Sequence, residues 1–142
     1  MTVAPGELLA VLRVGGWRCG VPLGLVVRVL SAAMPVKVPR GEGTSFVLRL
    51  GEALAPVVFG AALFGASAVE LGVSDKMVVL RLPGGDCVLW VDAVEDLAPY
   101  VPLNAPAPAD AGPWVACFSG GEPTLAVLDL EKVAAEYLPG GG

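Results

Sequence analysis

Short apolar runs rich in Val and Leu follow one another along the chain, separated by Gly and Pro. Runs of this length bounded by turn residues fit a pleated, half-buried surface, so the texture predicts an all-β barrel or sandwich. Strands are expected near residues 8–14, 17–21, 29–38, 46–50, 54–59, 77–82, 87–91, 114–119 and 125–128. Helical pieces are expected at 23–29, 59–64 and 130–138, the last with Asp129 placed to cap it and Pro139 and Gly140 to stop it. Residues 91–97 suit either a turn of helix or a bent strand.

The two halves echo each other. LRVGGWRCGVPLGLVVRV, from Leu12 to Val29, and LRLPGGDCVLWVDAVEDL, from Leu80 to Leu97, both place a Gly-Gly turn between a strand and a Cys-bearing strand. This aligns Cys19 with Cys87 and Val26 with Val94. GEALAPVVF from Gly51 and GEPTLAVLD from Gly121 form a second pair, each a Gly-Glu turn opening a strand. Two similar β units are expected in one domain spanning 1–142, with approximate halves 15–72 and 73–128. The Pro/Ala-rich stretch 102–113 has no period and is expected to be an exposed connection, and 139–142 a frayed tail.

Composition removes several function classes. The chain has 142 residues, 55% of them hydrophobic, and a net charge of −5, so it is neither disordered nor suited to neutralising phosphates. Arg13, Arg18, Arg28, Lys37, Arg40 and Arg49 are scattered, and nucleic acid is a poor partner. There is no His, which removes Ser-His-Asp and Cys-His pairs and His metal ligands. Cys19, Cys87 and Cys117 lie far apart and suit buried reduced thiols of a cytoplasmic protein. The N-terminus meets Glu7 before any apolar run, unlike a secretory signal. Residues 53–69 carry no charge and approach bilayer-spanning length, but Pro56, Gly60, Gly65 and the flanking Glu52 and Glu70 argue for a strand instead of a membrane segment.

In order and spacing, CGVPLGLVVRVL (Cys19 to Leu30), VDAVED (Val91 to Asp96) and LAVLDLEKV (Leu125 to Val133) resemble the CheW-like domain. That domain is the scaffold of the bacterial chemotaxis coupling protein and of the CheA histidine kinase regulatory domain. The resemblance runs from about Glu7 to Tyr137. It implies a mainly β fold of two pseudo-repeated SH3-like five-stranded barrels sharing a core, with short helices and a C-terminal helix. The family's Asn-Leu-Arg-Gly turn falls on Arg49, Leu50, Gly51 and Glu52, so the resemblance is to a divergent member.

Candidate chemistry is sparse. Asp92, Glu95 and Asp96 form the densest acidic cluster, yet lack the glycine-turned oxygen ligands of a cation loop and suit a solvated face. GEGTS at 41–45 lacks the Lys and hydroxyl that finish a phosphate loop, and Ser119 has no base to activate it. No catalytic residue, metal site or cofactor is expected. Trp90 is expected in the core, while Trp17 suits core or interface. Val26, Val27 and Val29 beside Arg28 exceed what one short helix buries, and surplus apolar surface marks protein contacts. The resemblance implies a non-enzymatic adaptor between a methyl-accepting chemoreceptor cytoplasmic tip and a CheA-type kinase, with self-association through open strand edges as a further expectation. It implies a receptor groove near Val26, Val29, Leu50 and Gly51, with Arg28 and Arg49 beside it, and kinase contacts at Val94, Glu95 and Asp96. A free-standing β-barrel that binds a ligand or peptide is the alternative.

Overall fold

The computed structural model describes residues 3–65, 72–104, 111–122 and 124–138. Leu8–Val14 (β1) turns back through Gly15, at φ 59°, onto Trp17–Pro22 (β2). A 3-10 turn at Leu23–Leu25 leads to Val26–Ser31 (β3), Val36–Arg40 (β4), Gly43–Leu50 (β5), Ala53–Phe59 (β6) and the one-turn helix Gly60–Leu63 (α1). Lys76–Leu82 (β7), Gly85–Val91 (β8), Ala93–Pro99 (β9), Val115–Ser119 (β10), Leu125–Leu128 (β11) and Leu130–Tyr137 (α2) follow.

The fold class is mainly β, as expected, with two local corrections and one open alternative settled. The helix expected at 23–29 is a single turn before a strand, because β-branched Val26, Val27 and Val29 gain a ladder partner in β7. The strand expected at 29–38 is two strands, since the chain leaves the sheet before Pro35, which has no amide proton to donate. The ambiguous 91–97 is a bent strand, kinked at Asp92 between β8 and β9. The uncharged stretch at 53–69 opens as β6 and α1, and no helix among the described residues is long and apolar enough to cross a membrane. Much of the expected 102–113 connection and the 139–142 tail lie outside the described residues.

Two sheets form, ordered β10-β11-β2-β1-β9 and β3-β7-β8-β6-β5-β4, so the second has six strands. Neither follows the halves 15–72 and 73–128, because each sheet draws strands from both. The repeat instead appears as one wiring used twice. β1–β2 and β7–β8 are equivalent hairpins, β11 joins β2 in parallel as β6 joins β8, and the strand after each hairpin crosses to the other sheet. The equivalence holds at residue level: Leu12 faces Cys19 and Val94, and Leu80 faces Cys87 and Val26. Each crossing strand carries a bulge at the same place, Glu95 in β9 and Val27 in β3.

Three apolar clusters follow. Leu12, Val21, Leu80 and Leu89, with Cys19 and Cys87, fill the space between the sheets, and Leu130 and Val133 from α2 and Leu138 just after it join them. Leu9, Val11, Leu125 and Val127 form a small core on the other side of the first sheet, while Met77, Val79, Val57, Val88 and Trp90 form a larger one on the second. The size difference has a local cause. Gly20 stands where the second unit has Val88, and a Cβ on Gly20 would lie 3.1 Å from Leu9 Cδ1. Trp90 is held by its Nε1–H donating to Asp75 Oδ2 at 2.8 Å and by Phe59, whose ring centroid lies 4.8 Å away.

Candidate protein-docking surface

β3 ends one sheet and β9 ends the other, and the bulge decides what each presents. Directly opposed residues of an antiparallel pair share a face. Val26 opposes Leu80 and Val29 opposes Val78, so both point to the space between the sheets. Val26 is half-buried against that core, and Val29 is 44% exposed. The extra residue at Val27 moves Arg28 to the other face, opposite Val79.

On that other face lies a cleft of about 380 Å³. Val27 and Arg28 form one wall, Leu50 and the 64%-exposed Leu54 the other, and Val79 and Ala55 the floor. Arg81 and Asp86 also line it and pair with each other at 3.3 Å. Among the described residues, none forms an ion pair with Arg28. Gly51 makes the β5–β6 turn at φ 64°, and Arg49 Nε donates to its carbonyl oxygen at 2.8 Å. Thus the structure joins Arg28 and Leu50 in one cleft beside the Arg49–Gly51 turn, and turns Val26 and Val29 away from it. Leu54, Arg81 and Asp86 were not foreseen as site residues: Arg81 and Asp86 are opposed across the β7–β8 hairpin, and Leu54 comes to the same cleft only when β6 pairs with β8.

The β9 surface is the counterpart of β3. Val94, at Val26's position, is 37% exposed. Glu95 receives Arg13 at 3.2 Å and Arg18 at 3.5 Å, and so is neutralised across β1 and β2. Asp92 Oδ2 accepts the Gly15 N–H at 2.8 Å and fixes the β1–β2 turn. Asp96, exposed, accepts the N–H of its neighbour Leu97 at 2.8 Å. Among the described residues no cluster of three or more Asp, Glu, Cys or His is placed to hold a metal.

The remaining reactive groups are structural. Burial pushes the Cys19 thiol up to about 12, and burial with the nearby Asp86 carboxylate does the same for Cys87, so neither is a thiolate near neutral pH. Ser119 Oγ is buried and accepts the Val101 N–H at 3.0 Å. Trp17 stacks on Phe64 with ring centroids 4.7 Å apart, half-buried at the rim of the core between the sheets.

Neither protein-family models nor curated protein sequences match this chain. Among solved structures, the scaffolding protein TtCheW from Thermoanaerobacter tengcongensis matches with a TM-score of 0.67. The match covers 91% of this chain and 87% of that one at 18% sequence identity. The fold described above is therefore the CheW fold.

Proposed function

We propose that this chain is a non-enzymatic cytoplasmic adaptor, a divergent coupling protein that joins chemoreceptor cytoplasmic tips to a CheA-type histidine kinase in a bacterial chemosensory array. The observation that carries this reading is the CheW fold over nine-tenths of the chain, with two apolar, exposed strand edges and buried, protonated thiols in place of reactive ones. In this reading, β3 serves the receptor. Val29 meets a receptor helix from the side between the sheets, and Leu50, Gly51, Arg28 and Arg49 frame the cleft on the other side. Val94, Glu95 and Asp96 on β9 serve the kinase regulatory domain, barrel against barrel. Helix-in-groove and edge contacts of this kind need an apolar trough with a few polar rim groups, and no cofactor.

The test is titration of the chain against a labelled receptor-tip helical hairpin and against the labelled kinase regulatory domain. Both are expected to bind. Val29→Glu should weaken the receptor contact by about tenfold or more, because it places a charge in an apolar contact. Val29 is the suitable position because it is exposed, whereas Val26 packs against the core. Binding of neither partner by folded chain would defeat the proposal. It would leave the alternative, a peptide- or ligand-binding module, for which the cleft of about 380 Å³ lined by Arg28 is the supporting feature.

A further inference from the structure

A charge cluster closes one copy of the repeat and is rearranged in the other. In the first, the bulge residue Glu95 lies over the β1–β2 hairpin and its carboxylate receives Arg13 at 3.2 Å and Arg18 at 3.5 Å. Residue for residue, Arg13 corresponds to Arg81, Arg18 to Asp86 and Glu95 to Val27. Arg13 opposes Arg18 as Arg81 opposes Asp86, and Glu95 follows the partner of Leu12 as Val27 follows the partner of Leu80. The acid has thus moved from the crossing strand into the hairpin. Asp86 Oδ1 accepts Arg81 at 3.3 Å, and the crossing strand brings a valine side chain where the first copy brings a carboxylate.

That exchange sets the lining of the cleft of about 380 Å³. Val27, Leu50 and Leu54 give it apolar walls, and the buried Val79 and Ala55 its floor. Val27 is 42% and Leu54 64% exposed, so the walls hold apolar surface that an occupant would take out of water. Its charged side chains are Arg28, Arg81 and Asp86, and Asp86 is matched by Arg81, which leaves the guanidinium of Arg28 in excess. Among the described residues Arg28 forms no ion pair. Apolar walls with one oriented cation are complementary to a carboxylate on an apolar body, because a guanidinium presents a fork of donors to a carboxylate.

We propose that this cleft is a small-molecule site for a carboxylate carried on a short apolar chain. The carboxylate pairs with the guanidinium of Arg28, and the apolar chain lies between Val27, Leu50 and Leu54, over Val79 and Ala55. The ligand thereby supplies from outside the carboxylate that Glu95 supplies from within the first copy of the repeat. A cleft of about 380 Å³ has the size of a small-molecule pocket, which favours such a ligand over a peptide segment. This goes beyond the adaptor reading and does not depend on it, since neither receptor nor kinase takes part.

The experiment is titration of the full nitrogen-15-labelled chain with octanoate, followed by amide chemical shifts. Saturable shifts are expected at Val27, Arg28, Leu50 and Leu54, with a dissociation constant of about 1 mM or tighter, as suits a ligand of about ten heavy atoms. Octylammonium, with the same tail and the opposite charge, should bind about tenfold more weakly or worse, and so should hexanoate, which lacks two methylenes. Arg28→Gln should weaken octanoate by about fivefold or more, and Leu54→Asp, which sets a like charge at the mouth, should do the same. Absence of saturable shifts at these residues up to about 10 mM octanoate, ten times the expected constant, overturns the proposal. So does equal binding of octanoate and octylammonium, or undiminished binding by an Arg28→Gln chain. An acidic amphipathic peptide that moves these amides where octanoate does not also overturns it, and assigns the cleft to a peptide.

Discussion

Cys19 and Cys87 hold the same place in the two copies of the repeat, each on the second strand of a hairpin and each fully buried between the sheets. In the folded chain they stay protonated up to about pH 12, whereas in the unfolded chain they ionise near their ordinary value of 9.0. The unfolded state therefore binds fewer protons across that window, and stability falls as pH rises through it. Urea midpoints should decline from pH 9 upward, and the decline should shrink in a Cys19→Ala/Cys87→Ala variant; an unchanged slope would show that the thiols are not responsible. The raised Tyr100 and Tyr137 act in the same direction and leave a residual slope in that variant. The burial of Cys19 and Cys87 was legible from the wide separation of the cysteines, which suits buried reduced thiols; Cys117, expected to be buried on the same ground, is only half-buried, with its Sγ 3.3 Å from the Tyr100 hydroxyl. The separation of Val26 and Val29 from Arg28 was not, because a one-residue bulge reassigns faces without leaving a mark in a run of valines.

At the level of elements, the hairpins were plain because Gly-containing turns separate short apolar runs, and α2 because Asp129 caps it, accepting the Lys132 N–H at 3.2 Å. The helix expected at 23–29 failed where a pairing partner outweighed a local periodicity, which no window of sequence contains. α1 depends on one close approach. A Cβ on Gly60 would lie 2.7 Å from the Trp90 carbonyl oxygen and 3.0 Å from both Val14 methyls, so Gly60 lets α1 sit against both sheets at once. Gly60→Ala forces backbone to move and should cost about 1–3 kcal/mol, the usual range for overpacking. Chemical denaturation measures it, and a variant as stable as wild type would mean that α1 can shift at little cost.

For the whole molecule, exchange of the third strand between units ties the two sheets together. β3 cannot leave the second sheet without pulling on the hairpin of the first, and β9 has the converse relation. The core between the sheets draws on both hairpins. Unfolding should therefore be all-or-none: tryptophan fluorescence, from Trp17 and Trp114 by the first sheet and Trp90 in the second, should change at the same denaturant concentration as the far-ultraviolet circular dichroism. Two separated transitions would show that the sheets are independent units despite the exchange.

From the sequence alone came the β class, the duplicated hairpin, the buried cysteines, the C-terminal helix and the lack of histidine chemistry. Each of these rests on local pattern or on residue inventory, which the chain carries wherever it folds. Tertiary structure alone decided which sheet each strand joins, which valines face the core, which carboxylates are neutralised and which sheet edges stay open. Those outcomes rest on pairings between residues far apart in the chain, such as Val26 with Leu80 and Arg13 with Glu95. The repeat itself makes them ambiguous in sequence: two equivalent hairpins offer each crossing strand two similar partners, and only packing in three dimensions selects between them.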